Sequence, residues 1–212
     1  MRRRRLTAPE RRRAILDSAQ QVFGERGYHG TSLEEIAQSA GISKALIYEH
    51  FESKKELHAS LLGEYAGDLF ERFQANAARA QTGEERLRTG VDVFFGFVEE
   101  HREAWRVLFR DAADPELAPV IRAVQDQATG AIVALVHDDP THPAPGPSET
   151  REQWEEAIEL FATQLSGACQ ALANWWHDHQ DVPRERLVER VVEFCWLGLD
   201  RVRAGERAHD PR

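Results

Sequence analysis

The stretch from Ser32 to Phe51, SLEEIAQSAGISKALIYEHF, constrains this chain more than any other part of it. Ser32 and Glu35 stand at the spacing of a capping box, which predicts a helix starting at Leu33. Leu33, Ile36, Ala37 and Ala40 recur every three or four residues and give that helix one buried face. Gly41 ends it, because glycine enters the left-handed region without a steric penalty. Ser43 caps a second, shorter helix in which Ile47 and Phe51 point inward while Lys44 and Tyr48 share another face. Two short helices joined by a glycine bend, the second presenting a cation and a phenol outward, have the geometry of a helix-turn-helix with its recognition helix. Two ordinary core helices would give the same local pattern, so the rest of the chain must discriminate.

Charge does so. The 212 residues carry a net charge of -9, yet residues 1–55 hold 11 cationic and 7 anionic side chains. All three lysines, Lys44, Lys54 and Lys55, lie in or just after the motif. An acidic protein is repelled by DNA, so this local reversal marks the first quarter of the chain as the part fit to face phosphate. The run Arg2 to Arg5 reads either as a solvated end or as an arm reaching phosphate or the minor groove. Cys169 and Cys195 are too few for a disulfide framework. The basic start is not followed by an apolar run, and no stretch is long enough to span a membrane. A cytoplasmic protein is expected.

Along the chain the pattern is helical throughout, and no strand-like alternation competes with it. Thr7 and Glu10 cap a first helix running to about Glu25, with Ile15, Ala19, Val22 and Phe23 inward and Gly27 after it. Ser53 and Glu56 open a long helix from Lys54 to about Ala80. Further helices are expected over Gly83 to Glu100, Arg102 to Arg110 and Leu117 to Val136. The segment His137 to Ser148, HDDPTHPAPGPS, excludes a regular element. Two long helices close the chain, one capped by Thr150 and one opened by Asp181 and Pro183. Their broad stripes include Phe161, Leu165, Leu172, Leu187, Val191, Phe194 and Val202, together with Trp154, Trp175, Trp176 and Trp196. That is more apolar surface than one hairpin buries alone, and it predicts packing against a second copy as a homodimer. The expected organisation is all-α, with a three-helix helix-turn-helix domain over 1–53 and a helical effector-binding and dimerisation domain over 54–212.

From about Arg12 to Leu57 the chain resembles the TetR, or tetracycline-repressor-like, family of bacterial transcriptional regulators. The likeness rests on one ungapped run with Phe23 before Gly27-Tyr28, Thr31 ahead of Ile36-Ala37, Ala40-Gly41-Ile42-Ser43, Tyr48-x-His50-Phe51 and Lys54. The resemblance implies a three-helix DNA-binding domain and a helical ligand-binding domain that dimerises through its last two long helices. It also implies phosphate contacts from Thr31, Lys44, Tyr48, His50 and Lys54, which set register on the duplex with little base information. Ala45, Leu46 and Glu49 become the base-facing candidates. Leu46 stands where the family often has a small polar residue and suits a thymine methyl, while Glu49 can accept from a cytosine amino group.

Beyond Leu57 no motif names a ligand. Phe94, Phe97, Trp105, Phe109, Phe161 and Trp175 are candidates to line a cavity for an apolar or aromatic effector. A cationic amphiphile would look to Asp92, Glu99 or Glu159. No G-x-S-x-G, G-x-G-x-x-G, Walker loop or H-E-x-x-H occurs, so no enzyme, cofactor or metal site is expected. His137, Asp138, Asp139 and His142 crowd a proline-rich loop that suits a solvated linker better than a zinc tetrahedron. The sequence thus predicts a ligand-responsive repressor that binds a palindromic operator. A DNA-binding dimer without a small-molecule effector, and a helical protein-interaction module, remain as alternatives.

Overall fold

A computed structural model describes residues 7–77, 80, 82–106, 115–137 and 150–203, with the side chains of 77 and 198–203 left aside. Among the described residues every regular element is a helix: α1 (Ala8–Arg26), α2 (Leu33–Ala40), α3 (Lys44–Tyr48), α4 (Lys54–Ala77), α5 (Gly83–Glu100), α6 (Arg102–Trp105), α7 (Ala118–His137), α8 (Arg151–His177) and α9 (Arg184–Arg203). The expected Arg2–Arg5 arm, Phe109 and the 138–148 loop lie outside the described residues, as does the side chain of Val202.

The chain divides into two compact units, one formed by residues 1–67 and 101–124 and the other by 68–100 and 125–212. In the first, local signals set the helix ends. Thr7 accepts from the Glu10 amide while Glu10 accepts from the Thr7 amide, closing a capping box ahead of Pro9. Ser53 accepts from the Glu56 amide at 3.1 Å, but the Glu56 carboxylate turns instead to the amide of Glu52. The core combines Ile15, Leu16, Ala19 and Phe23 of α1 with Ile36, Ile47, Phe51, Leu57 and Leu62, all nearly or fully buried. Ala104 and Leu117, distant in sequence, complete it. The Arg106 guanidinium donates to the carbonyl oxygen of Gly24 at 2.5 Å, fastening the end of α6 to α1. His58 is fully buried, with the rings of Phe23 and Tyr28 edge-on to it at 5.4 and 5.2 Å.

In the second unit α5, α8 and α9 pack on one another. The buried side chains of this unit include Val91, Phe95 and Val98 on α5, Ile158, Ala162, Leu165, Cys169 and Trp176 on α8, and Leu187, Val188, Val191 and Val192 on α9. Trp176 is edge-on to Phe95 at 5.9 Å, and its indole N–H donates to the carbonyl oxygen of Val182 at 2.7 Å. That bond satisfies a buried donor and closes the α8–α9 turn. Arg184, at the first turn of α9, pairs with Asp92 (3.1 Å) and Glu99 (3.4 Å) of α5. Asp92 and Glu99 therefore already have a cation of the protein's own. Cys169 and Cys195 are buried free thiols, and burial pushes the Cys169 thiol up to about 12.

The expected dimerisation set divides between the interior and the surface of the second unit. Leu165, Leu187 and Val191 are interior side chains of the second unit, Phe161 and Leu172 are half-buried, and of the described six only Phe194 stands fully exposed. α8 and α9 each pack against α5 and against one another, so each buries one stripe within the unit. Among the described residues the large apolar side chains left outward on α8 and α9 are Leu160, Trp175, Phe194 and Leu197.

Candidate nucleic-acid interface

The α2–α3 segment is built by three local devices. Ser32 caps α2 through its hydroxyl while the Glu35 carboxylate accepts from the Ser32 amide at 2.8 Å. Gly41 sits at φ +66°, where an L side chain would be strained, and returns its N–H to Gln38 and Ala37. Ser43 accepts from the Leu46 amide and starts α3. Ile47 and Phe51 are buried to within 1% and fix α3 against the core. What remains outward on α3 and just past it is Lys44, Ala45, Tyr48 and Glu49, with Leu46 and His50 half-buried. Tyr48 is half exposed.

Lys44 does not stand alone. Its ammonium donates to the carboxylate of Glu34 on α2 and lies 5.8 Å from the centre of the Tyr48 ring. The hydrogen bond from Lys44 holds Glu34 below the usual carboxylate range, and the same bond raises Lys44. Glu35, lowered chiefly by the Ser32 amide, pairs with Arg26. Further back, Arg12 and Arg13 both reach Glu64, at 3.0 and 3.1 Å. Among the described cations of residues 1–55, Arg12, Arg13, Arg26 and Lys44 are thus paired within the protein.

Two of the expected phosphate contacts, Thr31 and Lys54, make hydrogen bonds inside the protein. Thr31 is only 3% exposed, and its hydroxyl donates to the carbonyls of Gly27 at 2.7 Å and Val22 at 3.3 Å. A hydroxyl so placed satisfies carbonyls at the end of α1. Lys54 donates to the carbonyls of Tyr28 (2.8 Å) and Thr31 (3.0 Å), and its ammonium sits 4.3 Å from the centre of the Tyr28 ring. It ties the start of α4 to the α1–α2 connection. Glu34 is the residue that sequence reasoning missed, since its pairing with Lys44 crosses the turn and no helical period links the two.

The described aromatic candidates for an effector site fall in both units. Trp105 is buried in the first unit; the other described four belong to the second. There Phe94 is edge-on to Phe95 at 5.2 Å, Phe97 is buried with the Arg72 guanidinium 5.5 Å from its ring centre, and Phe161 is half-buried. Trp175 is exposed and stacks flat on His179 at 3.9 Å.

Residues 15–61 match the family of bacterial regulatory proteins called tetR, and residues 84–198 match the tetracyclin repressor-like C-terminal domain. The chain belongs to the TetR family. It is accordingly a helix-turn-helix, DNA-binding transcriptional regulator and not an enzyme. It is 48% identical over 207 residues to the HTH-type transcriptional repressor BepR of Brucella suis, covering 91% of this chain and 95% of that protein. It is 30% identical over 200 residues to the HTH-type transcriptional activator FasR of Mycolicibacterium smegmatis, covering 93% and 87% respectively. The fold is shared with the regulator FadR of Bacillus subtilis, solved in complex with stearoyl-CoA, at a TM-score of 0.72 and 20% identity over 86% of this chain and 96% of that one. The motif over Ser32 to Phe51 lies inside the segment that matches the family's N-terminal model. Among the described residues no helix is long and apolar enough to cross a membrane.

Proposed function

We propose that this TetR-family protein is a cytoplasmic, ligand-responsive repressor that binds a palindromic operator as a homodimer and is released by a small apolar effector. The observation that carries the DNA side is the outward set Lys44, Ala45, Tyr48 and Glu49, held on a helix pinned by buried Ile47 and Phe51. In this reading Lys44, Tyr48 and His50 meet the phosphate backbone and set register, while Ala45, Leu46 and Glu49 face base edges. Residues 1–53 read DNA and 54–212 sense the effector and dimerise.

The dimer reading is supported by α8 and α9. Leu160, Gln164, Gly167, Ala171 and Trp175 are exposed at spacings that put them on one face of α8, small in the middle and large at both ends. Phe194, 78% exposed, and Leu197 stand outward on α9. A second copy covering these side chains would place two recognition helices about 34–36 Å apart, in successive major grooves. An effector that prefers a different separation of the DNA-reading units lowers operator affinity, and only by as much as it binds the two states differently. α4, which carries residues of both units, is the element to transmit that change.

An apolar effector is the reading favoured by the aromatic content of the second unit, and a regulator of the same fold has been solved with stearoyl-CoA. Selection of bound sequences from random duplexes tests the DNA reading, an inverted repeat of fixed spacing being the expected product. Titrating the selected duplex complex with stearoyl-CoA and with the free fatty acid then tests the effector. Unchanged operator affinity across such an apolar series would leave a DNA-binding dimer without a small-molecule effector. An activator is the second reading, favoured by the likeness to FasR; reporter output with the operator upstream of, rather than across, the promoter separates the two.

A further inference from the structure

The DNA-reading segment is short of positive charge. From Leu33 to Phe51 it contains Glu34, Glu35 and Glu49 against a single lysine, Lys44. The carboxylate of Glu35 is engaged by the Ser32 amide and by Arg26. Lys44 has its ammonium on Glu34 and beside the Tyr48 ring, so the cation that faces outward from the recognition helix is already neutralised. Both partners stay open to solvent, the Lys44 and Glu34 side chains being 42% and 61% exposed. An ion pair in that setting is weak and exchanges readily, because water screens the attraction and two long side chains must be ordered to make it.

We propose that Glu34 is an intramolecular counterion that competes with DNA phosphate for Lys44 and thereby raises the threshold for binding non-operator DNA. This rests on the DNA-binding reading above and assigns a specificity role to a residue on α2 rather than on the recognition helix. On an operator, base contacts hold the duplex in register, so one phosphate stays beside α3 long enough for the ammonium to transfer to it. On other sequences register is not held, Lys44 stays with Glu34, and the phosphate gains no cation from α3. The transfer also leaves a mark on salt dependence. A phosphate neutralised by a lysine releases a condensed counterion, but a Glu34 set free takes up a cation from solution and offsets part of that release.

The test uses the full-length protein, its Glu34→Gln and Lys44→Met variants and the double variant, each titrated with a random-sequence duplex and with a selected operator duplex over a range of salt. Glu34→Gln is expected to bind the random duplex on the order of tenfold more tightly and the operator about threefold more tightly, so that specificity falls. Its plot of log affinity against log salt should steepen by up to about 0.9. In the Lys44→Met background the same substitution should change affinity by less than about twofold, since the competition has lost its object. An equal gain with and without Lys44 would show plain repulsion between Glu34 and the backbone and overturn the proposal. So would no gain in either background. Absence of duplex binding by all four proteins overturns the DNA-binding reading itself, which distinguishes the two failures.

Discussion

Replacing Lys54 by methionine separates a structural lysine from a phosphate-binding one. The substitution keeps most of the aliphatic stem and removes two charge-assisted hydrogen bonds, to the carbonyls of Tyr28 and Thr31, and an ammonium 4.3 Å from a ring centre. Bonds of this kind contribute about 1.5–3 kcal/mol each, and a cation over a ring about 0.5–1 kcal/mol at an accessible site. Lys54 is only half-buried, and water partly replaces what is lost, so a net destabilisation of about 2–3 kcal/mol follows. Urea unfolding followed by circular dichroism should show the midpoint of the variant falling by roughly 1 M. Lys55→Met, which removes the same charge one position on, should leave it within about 0.3 M. In binding, Lys54→Met should weaken duplexes only through the less stable α1–α2 connection, with the salt slope kept. An unchanged urea midpoint together with a slope lowered by about 0.9 would refute this and return Lys54 to the phosphate contacts.

Other outcomes follow from single features. Gly41→Ala meets open space but adds a Cβ at φ +66°, so it should cost about 1–2 kcal/mol in thermal unfolding with no packing contribution. Trp176→Phe leaves the Val182 carbonyl without its indole donor and opens space beside Phe95; a loss of about 2–3 kcal/mol is expected by urea titration. Burial raises the Cys169 thiol from 9.0 to about 12, so the folded state favours the protonated form. Its contribution is intact below pH 9 and is lost as pH rises from 9 towards 12, by up to about 1.4 kcal/mol per pH unit across that window. Alkylation of Cys169 in the native protein at pH 8 should accordingly be slow and become fast only on unfolding, as read by mass spectrometry. Replacing Glu49 by glutamine or Leu46 by serine should change the base preferred in a duplex selection, whereas Tyr48→Phe should weaken all duplexes alike.

The elements that were legible in the sequence are those specified within a few residues of themselves. Thr7 with Glu10, Ser32 with Glu35 and Thr150 with Gln153 each close a capping box within one turn, and the helices begin where those pairs put them. Gly41 and the inward Ile47 and Phe51 are equally local. Side-chain fate across a loop is another matter. Thr31 and Lys54 resemble donors on a surface, yet the carbonyls they satisfy belong to the end of α1 and the α1–α2 connection, and only the folded backbone presents those acceptors. Periodicity also shows that a face is apolar without saying what covers it. Leu165, Leu187 and Val191 lie in the interior of the second unit, while Leu160 and Leu197, outside the expected set, stand outward.

The first unit is interrupted in the chain: residues 1–67 need 101–124, which supply Ala104, Leu117 and the Arg106 bond to Gly24. On the ribosome α1 to α3 therefore emerge early and wait. At roughly 5–20 residues per second, several seconds pass between the exit of α3 and that of the last segment that seals its core. During that interval α5 is made, whose own partners α8 and α9 come later still. Synthesis is thus nested, with each unit opened before the other is closed. A gene fragment ending after the recognition helix would encode the reading head without its lid, and grafting that head onto another sensor would require carrying a segment from the middle of the gene along with it.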